Sequence, residues 1–391
     1  MKSIKELTVE NHTILMRVDF NVPFDDNGNI TDSTRISAVL PTIQYLIDHN
    51  AKLVLCSHCG RPKGERIDKF SLAPVAQKLS ELLGKSVQLA PDCIGSETET
   101  MAASLQNGEI LLLENLRFHA GETKNDPEFS RQLASLADIY INDAFAVSHR
   151  AHASVEGVTH HMDECAAGFL LQREIDFFNR SVTNPERPLA AILGGAKVST
   201  KLGAIRNMLD KVNLMIIGGA MANTFLKAQG YGIGNSLIEN DLLDTAEELI
   251  NLAREKGVGF YLPVDCVIAE TFSPSANKKI VPISDVPNDW MILDIGPETS
   301  KKFHNILAEA RTIVWNGPMG AFEMDAFAEE SMRMVDTVSK SKALSIVGGG
   351  DTNALVNKAG AGDKVSYMST GGGAFLMLME GKELPGVVAL G

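Results

Sequence analysis

Residues 189–201 read LAAILGGAKVSTK. Five apolar residues, Leu189 to Leu193, run straight into two glycines and then into a segment of helical pattern. An apolar run of that length reads as a strand buried on both faces. A glycine turn from such a strand into a helix is the connection expected of a parallel α/β sheet. The same device recurs as IIGGAMANTF at 216–225, WNGPMGAFE at 315–323, VGGGDT at 347–352 and STGGG at 369–373. Ligands of parallel sheets bind at the carboxyl ends of the strands. Glycine there lets backbone N–H groups approach a phosphate, and the helix start adds partial positive charge. One such turn says little. Five along one sheet edge predict a nucleotide.

The familiar nucleotide signatures are missing. No G-x-x-x-x-G-K-[ST] occurs, and no H-R-D or D-F-G set. GYGIGN at 230–235 has no preceding strand and reads as a turn. A nicotinamide-dependent dehydrogenase would need G-x-G-x-x-G after a strand, with an acidic residue about 20 positions on, and that too is missing. A non-catalytic phosphate-binding protein stays open on fold grounds.

Working outward, strands are expected at 13–20, 51–57, 109–115 and 138–145. In the second half they are expected at 189–193, 214–218, 259–265, 312–317, 344–349 and 365–370. Amphipathic segments separate them, such as 71–84, with Ser71 as N-cap and Gly84 as stop, and 240–257. The polar stretch HAGETKNDPEFS at 119–130 is expected as a surface loop. A long helix within 166–188, ending in a proline-rich stop, marks a domain boundary. The fold class is therefore α/β, with two doubly wound parallel-sheet domains.

The totals agree with two packed cores. The chain has 391 residues, 45% hydrophobic and 22% charged, with a net charge of −13. An acidic chain argues against nucleic acid as a partner. No apolar run approaches the ~20 residues of a membrane helix, and the start lacks the apolar core of a secretory signal. Five cysteines, an odd number scattered through a long chain, argue against a disulfide framework and for the cytoplasm.

An acidic protein that binds an anion must do so with local clusters of charge. Cations stand at successive strand ends of the first half: Arg35, His58 and Arg61, Arg117, and Arg150. Arginine binds phosphate or carboxylate bidentately and keeps its charge. Together they predict a pocket for a small, multiply anionic substrate, with Asp19 and Asn21 placed to hold its hydroxyls. In the second half, Lys197 and Lys201 are four apart at a helix start, where they would face one side. Asp351 is either a Mg2+ ligand or a helix N-cap.

LVLCSHCGRP at 53–62 contains a C-x-x-C, Cys56 to Cys59, around His58. A structural zinc site needs about four ligands. Cys93, Cys165 and Cys266 stand alone, so Cys56 and Cys59 read as packing residues beside His58 and Arg61.

These segments resemble the phosphoglycerate kinase family. RVDFNVP, SHCGRP, LLLENLRF, NDAF…HRAHAS, LGGAKVSTK, WNGPMGAFE, VGGGDT and STGGGAFLMLMEGKELPGV run in that family's order from Arg17 to Val387. The resemblance implies an N-terminal 3-phosphoglycerate-binding domain, 1–172, joined by a tail of about 380–391, and a C-terminal nucleotide-binding domain, 173–379. It implies that Asp19, Phe20, Asn21, Arg35, His58, Cys59, Gly60, Arg61, Arg117 and Arg150 meet 3-phosphoglycerate or 1,3-bisphosphoglycerate. For ATP or ADP it implies Gly194, Gly195, Lys201, Asn316, Pro318, Glu323, Gly349, Gly350, Asp351 and Thr352, with Asp351 on Mg2+. Arg35, Lys197, Gly371, Gly372 and Gly373 would meet the phosphoryl group in flight. A cytoplasmic monomer with hinge bending is also implied. Cys59 stands where the family often has leucine. Ala146-Val147-Ser148 and Ala220 are further departures, none of them at a charged ligand.

Overall fold

The computed structural model describes residues 1–391. The chain forms two compact units, Met1–Ile175 with Glu383–Gly391, and Asp176–Lys382. In the first, strands β1 (Thr13–Arg17), β2 (Lys52–Cys56), β3 (Val87–Leu89), β4 (Ile110–Leu112), β5 (Ile139–Asn142) and β6 (Cys165–Ala167) form one sheet in the order β3-β4-β2-β1-β5-β6. Every pairing is parallel. Helices α1 (Thr34–Asp48), α2 (Ala73–Leu83), α3 (Ser96–Ser104), α4 (Ala120–Lys124), α5 (Pro127–Ala134) and α6 (Phe169–Phe178) connect or follow the strands. Ile14, Leu53, Leu55, Ile110, Val75 and Leu79 meet in the core.

In the second unit, β7 (Leu189–Leu193), β8 (Leu214–Ile217), β9 (Gly259–Tyr261), β13 (Thr312–Asn316), β14 (Leu344–Gly348) and β15 (Tyr367–Met368) form a parallel sheet ordered β15-β14-β13-β7-β8-β9. The second sheet of this unit is antiparallel: β10 (Asp265–Ala269) lies between β11 (Lys278–Pro282) and β12 (Met291–Ile295). The helices are α7 (Leu202–Leu209), α8 (Met221–Ala228), α9 (Leu243–Glu255), α10 (Pro297–Leu307), α11 (Glu329–Lys340), α12 (Gly350–Lys358) and α13 (Gly372–Met379). Trp315, Phe303 and Met334 are fully buried in their core.

Each parallel sheet is doubly wound. The chain leaves its first strand in one direction and later returns to build the other side. The reversal falls between β1 and β5 in one unit and between β7 and β13 in the other. A crevice opens at such a point beyond the strands' carboxyl ends.

The sequence reading fails in particular places. The expected strand 259–265 is two elements. It breaks at Leu262-Pro263, where proline has no N–H for a ladder, and Asp265 starts the antiparallel sheet. Residues 119–130 hold α4 and the start of α5 rather than a loop, and Glu122 within α4 is fully buried. Ser71 sits one residue before the N-cap of α2, and its Oγ accepts the Ala73 N–H at 3.2 Å. Leu72 is that N-cap, and the Ser71 hydroxyl donates to Glu114 at 2.7 Å. Gly84 ends α2 in the left-handed conformation, φ 62°. The last segment, α14 (Pro385–Val388), packs into the first unit, where Gly386 N–H donates to Ser148 O at 2.9 Å. No helix is long and apolar enough to cross a membrane.

Candidate functional site

Polar residues of the first unit gather where its strands end. Just past β1, Asp19 is nearly buried and forms an ion pair with Arg35, in the first turn of α1. Phe20 is buried, and its N–H donates to Ser57 Oγ at 2.8 Å. Asn21 Oδ1 accepts the Gly60 N–H at 2.9 Å, and Arg117 Nη1 donates to Gly60 O at 2.7 Å. Gly60 has φ +60°, and a Cβ there would run into the Phe70 ring.

Asn115, which the sequence reading passed over, shapes this loop. Its Oδ1 accepts N–H groups of Cys59 and Arg117 at 3.1 and 3.0 Å, while its Nδ2 donates to Cys59 O at 2.7 Å. An asparagine inside an LEN tripeptide carries no signal of that role until the two loops are brought together.

Arg61, Arg117 and Arg150 line one cavity of ≈ 460 Å³, together with Lys63, Lys124 and His152. The sequence placed the three arginines and missed Lys63 and Lys124. Asp19, Asn21, Arg35 and His58 do not line it; they cluster at the ends of β1 and β2.

A second layer was also missed. Arg17, on β1, is fully buried; its Nε donates to Ser154 Oγ at 2.8 Å, and Ser154 donates to Glu122 at 2.7 Å. Arg17 Nη2 lies 3.2 Å from His58 Nδ1. A guanidinium only donates, so Nδ1 is the acceptor and the His58 proton sits on Nε2. Burial, and then Arg17, Arg117, Arg150 and Arg35, hold His58 well below the usual imidazole range. His58, read as a cation in the sequence, is therefore a neutral N–H donor. Burial, with Arg150 and Arg17, lowers Arg117 to about 10, so it keeps its charge at neutral pH.

His152 is lowered to about 4 by burial and then by Arg117 and Arg150. Its Nδ1 stands 3.7 Å from Glu122, too far for a hydrogen bond, and the arginines outweigh that carboxylate. The unfolded value is about 6.5. Falling pH therefore protonates the unfolded chain first, and this group's contribution to stability is lost from about pH 6.5 down to about 4. A phosphate in the cavity offsets the arginines, so His152 should titrate at higher pH when phosphate is added. Ring-proton NMR checks this, and an unmoved His152 would place the anion elsewhere.

In the second unit the reversal point joins three strand ends. Lys201 Nζ donates to Asn316 O at 2.8 Å and to Asn316 Oδ1 at 2.6 Å, while Asn316 Nδ2 donates to Gly348 O at 2.9 Å. Burial lowers Lys201 to about 8. Lys197 and Lys201 do not share a helix face as expected. Both precede α7, with Lys201 turned inward and Lys197 exposed.

The glycines serve differently from the expectation that all would offer amides. Gly194 N–H donates to Asn316 O at 3.0 Å, Gly195 N–H to Pro318 O at 2.9 Å and Gly317 N–H to Thr352 Oγ at 2.7 Å. Gly371 N–H donates to Ser369 Oγ at 3.3 Å. These groups bind loops to one another. The open amides belong to the first turns of α12 and α13, whose N–H groups have no partner within the helix. Those two starts adjoin, since a Cβ on Gly372 would lie 3.3 Å from Gly349 Cα and 3.4 Å from Gly350 N. Two helix N-termini at one point make an anion site.

Beside it lies a second cavity of ≈ 460 Å³, lined by Gly195, Ala220, Leu237, Pro318, Glu323 and Asp351 among other residues. The antiparallel sheet that the sequence did not reveal supplies part of its wall through Met291 and Leu293. Its predominantly apolar lining suits a flat heterocycle. Asp351 is not the N-cap of α12, a place held by Gly349; its carboxylate is exposed in the first turn.

All five cysteines are free. Burial pushes Cys56 up to about 12 and Cys59 up to about 11, so neither is a ready thiolate.

A family model described as phosphoglycerate kinase matches residues 4–382. The chain is 58% identical over 390 residues to a phosphoglycerate kinase of Desulfotalea psychrophila, covering 100% of both chains. It is 59% identical to one of Geotalea uraniireducens, covering 96% of this chain and 94% of the relative. Among solved structures, phosphoglycerate kinase from Coxiella burnetii superposes with a TM-score of 0.91 at 44% identity, over 99% of this chain and 98% of that one.

Proposed function

The chain belongs to the phosphoglycerate kinase family, and from that premise we propose how its own residues carry the family's reaction. The reaction is reversible phosphoryl transfer between 1,3-bisphosphoglycerate and MgADP, giving 3-phosphoglycerate and MgATP. The observation that carries this reading is the cavity holding Arg61, Arg117 and Arg150, a site for several negative charges in a chain of net charge −13. The domain of residues 1–172 with the tail about 380–391 would hold phosphoglycerate, and 173–379 the nucleotide.

In the direction of ATP use, the 1-carboxylate oxygen of 3-phosphoglycerate forms a bond to the γ-phosphorus as the bond to the ADP oxygen breaks. The attacking group is already an anion, so no general base is needed. The work is positioning and charge neutralisation. Arg61, Arg117 and Arg150 hold the 3-phosphate, and the His58 Nε2–H, outside that cavity and beside Asp19, is a neutral donor to the rest of the substrate. Arg35 and Lys197 neutralise the phosphoryl oxygens, and the amides of Gly372 and Gly373 donate to them. The carboxylate and the γ-phosphorus must be brought into line before transfer, with water expelled.

The exposed Asp351 carboxylate beside the open amides of α12 fits Mg2+, which prefers one or two carboxylates with phosphate oxygens and water. When bound, that ion neutralises charge on the nucleotide phosphates. Asp351→Ala should weaken MgADP binding by roughly tenfold or more, the loss of one charged contact. Calorimetric titration with MgADP measures this, and an unchanged affinity would remove Asp351 as the ligand. The same reading takes the enzyme as a cytoplasmic monomer.

A coupled assay for ADP formation that depends on both 3-phosphoglycerate and Mg2+ tests the whole reading. Activity without 3-phosphoglycerate, or none with it, would overturn it.

A further inference from the structure

At the edge of the basic cavity, three side chains offer metal-ligating atoms in one small volume. Asp92 and Cys93 lie between β3 and α3, and His119 directly follows the turn that carries Arg117. A carboxylate oxygen of Asp92, the Cys93 Sγ and a ring nitrogen of His119 all lie within 4.8 Å of one another. The trio is already partly assembled. Asp92 Oδ1 is 2.7 Å from His119 Nε2, and it accepts the Cys93 N–H at 2.6 Å. Thr98 Oγ donates to Asp92 O at 3.1 Å, fixing the backbone behind the carboxylate. Asp92 and His119 keep 39% and 30% of their side chains exposed, while Cys93 is buried beneath them. Burial and then the Asp92 carboxylate raise the Cys93 thiol well above its usual range, so a cation entering past Asp92 and His119 must displace a firmly held proton.

We propose that Asp92, Cys93 and His119 form a binding site for a borderline-soft divalent cation of the Zn2+ type, which no step of phosphoryl transfer uses. Thiolate, imidazole and carboxylate together match Zn2+ or Co2+, whereas Mg2+ takes oxygen donors. Metal–ligand distances of about 2.0–2.3 Å set tetrahedral ligands roughly 3.4 Å apart. The Asp92–His119 contact opens a little, and the thiol draws in. The cation replaces the proton between carboxylate and imidazole, and the thiol proton leaves to solvent. Three protein ligands leave a fourth position for water. His119 also lines the basic cavity, so the occupied site stands in that cavity's wall.

The test uses the full chain, stripped of metal by a chelator and titrated with Zn2+ alone. We expect one tightly held Zn2+ per chain, with affinity falling at least tenfold in both Cys93→Ser and His119→Ala. Co2+ added to the unaltered protein should give the near-ultraviolet charge-transfer band of a cobalt–thiolate bond, a readout that needs no variant to fold. Three results would each overturn the site: no retained Zn2+, retention undiminished in both folded variants, or a cobalt complex without that band.

Discussion

Arg35→Ala should lower kcat by roughly 10²-fold or more while KM for 3-phosphoglycerate changes much less. The Arg35 side chain is 41% exposed and its one carboxylate partner is Asp19. It does not line the cavity that holds Arg61, Arg117 and Arg150, so it is not needed to hold the 3-phosphate. A guanidinium half in solvent beside the ends of β1 and β2 can be recruited to charge that develops during transfer. The interaction is then stronger in the transition state than in the bound substrate, and its loss appears in kcat. Arg35→Lys should recover only part of the rate, because an ammonium lacks the planar fork. Steady-state kinetics with each substrate varied in turn decides it. A variant with wild-type kcat and a raised KM would make Arg35 a binding residue only.

Gly317→Ala should destabilise the second unit by about 2–5 kcal/mol. Gly317 has φ +101°, where an L-residue costs about 1–2 kcal/mol. Its Cβ would collide with the Gly194 backbone and Lys201 Nζ, and overpacking of this kind costs about 1–3 kcal/mol more. The site fails with the fold. The Gly317 N–H bond to Thr352, the Trp315 indole bond to Gly317 O at 2.7 Å and the Lys201 bonds to Asn316 all meet at this crossing. The second unit's melting transition should drop by roughly 10 °C, with weaker nucleotide binding at temperatures where it still folds. Gly350→Ala is the contrast, since a Cβ there meets nothing within 4 Å at a helical position. It should melt at or slightly above the wild-type temperature. A Gly317→Ala protein that melts like wild type would show that the crossing can relax.

How far the sequence reached depends on the range over which each interaction acts. The run Leu189–Leu193 with its glycine turn, and its repeats, announced parallel strands, because burial on both faces demands continuous apolarity. The cations at strand ends were equally plain, since topology sends successive strand ends to one edge. The helix at 120–124 was hidden because Glu122 looks like any surface acid. Only the fold shows that it accepts both the N–H and the hydroxyl of Ser154. The strand at 265–269 was hidden because Asp265 reads as a strand end, whereas its carboxylate accepts the N–H groups of Glu298 and Thr299 at the start of α10.

The amino-acid sequence by itself determined the two parallel sheets, the edge of each where a ligand is expected, and the cations gathered at the first of those edges, since all three follow from local pattern and order along the chain. Tertiary structure alone decided which polar groups are free to act. It committed the amides of Gly194, Gly195 and Gly317 to loop contacts and left those at the starts of α12 and α13 open. It buried His58 among four arginines and so made a neutral donor of an expected cation. It also brought Asp92 and Cys93 to His119. A hydrogen bond, or the loss of solvent around a charge, depends on neighbours tens of residues away, and only the folded chain supplies them.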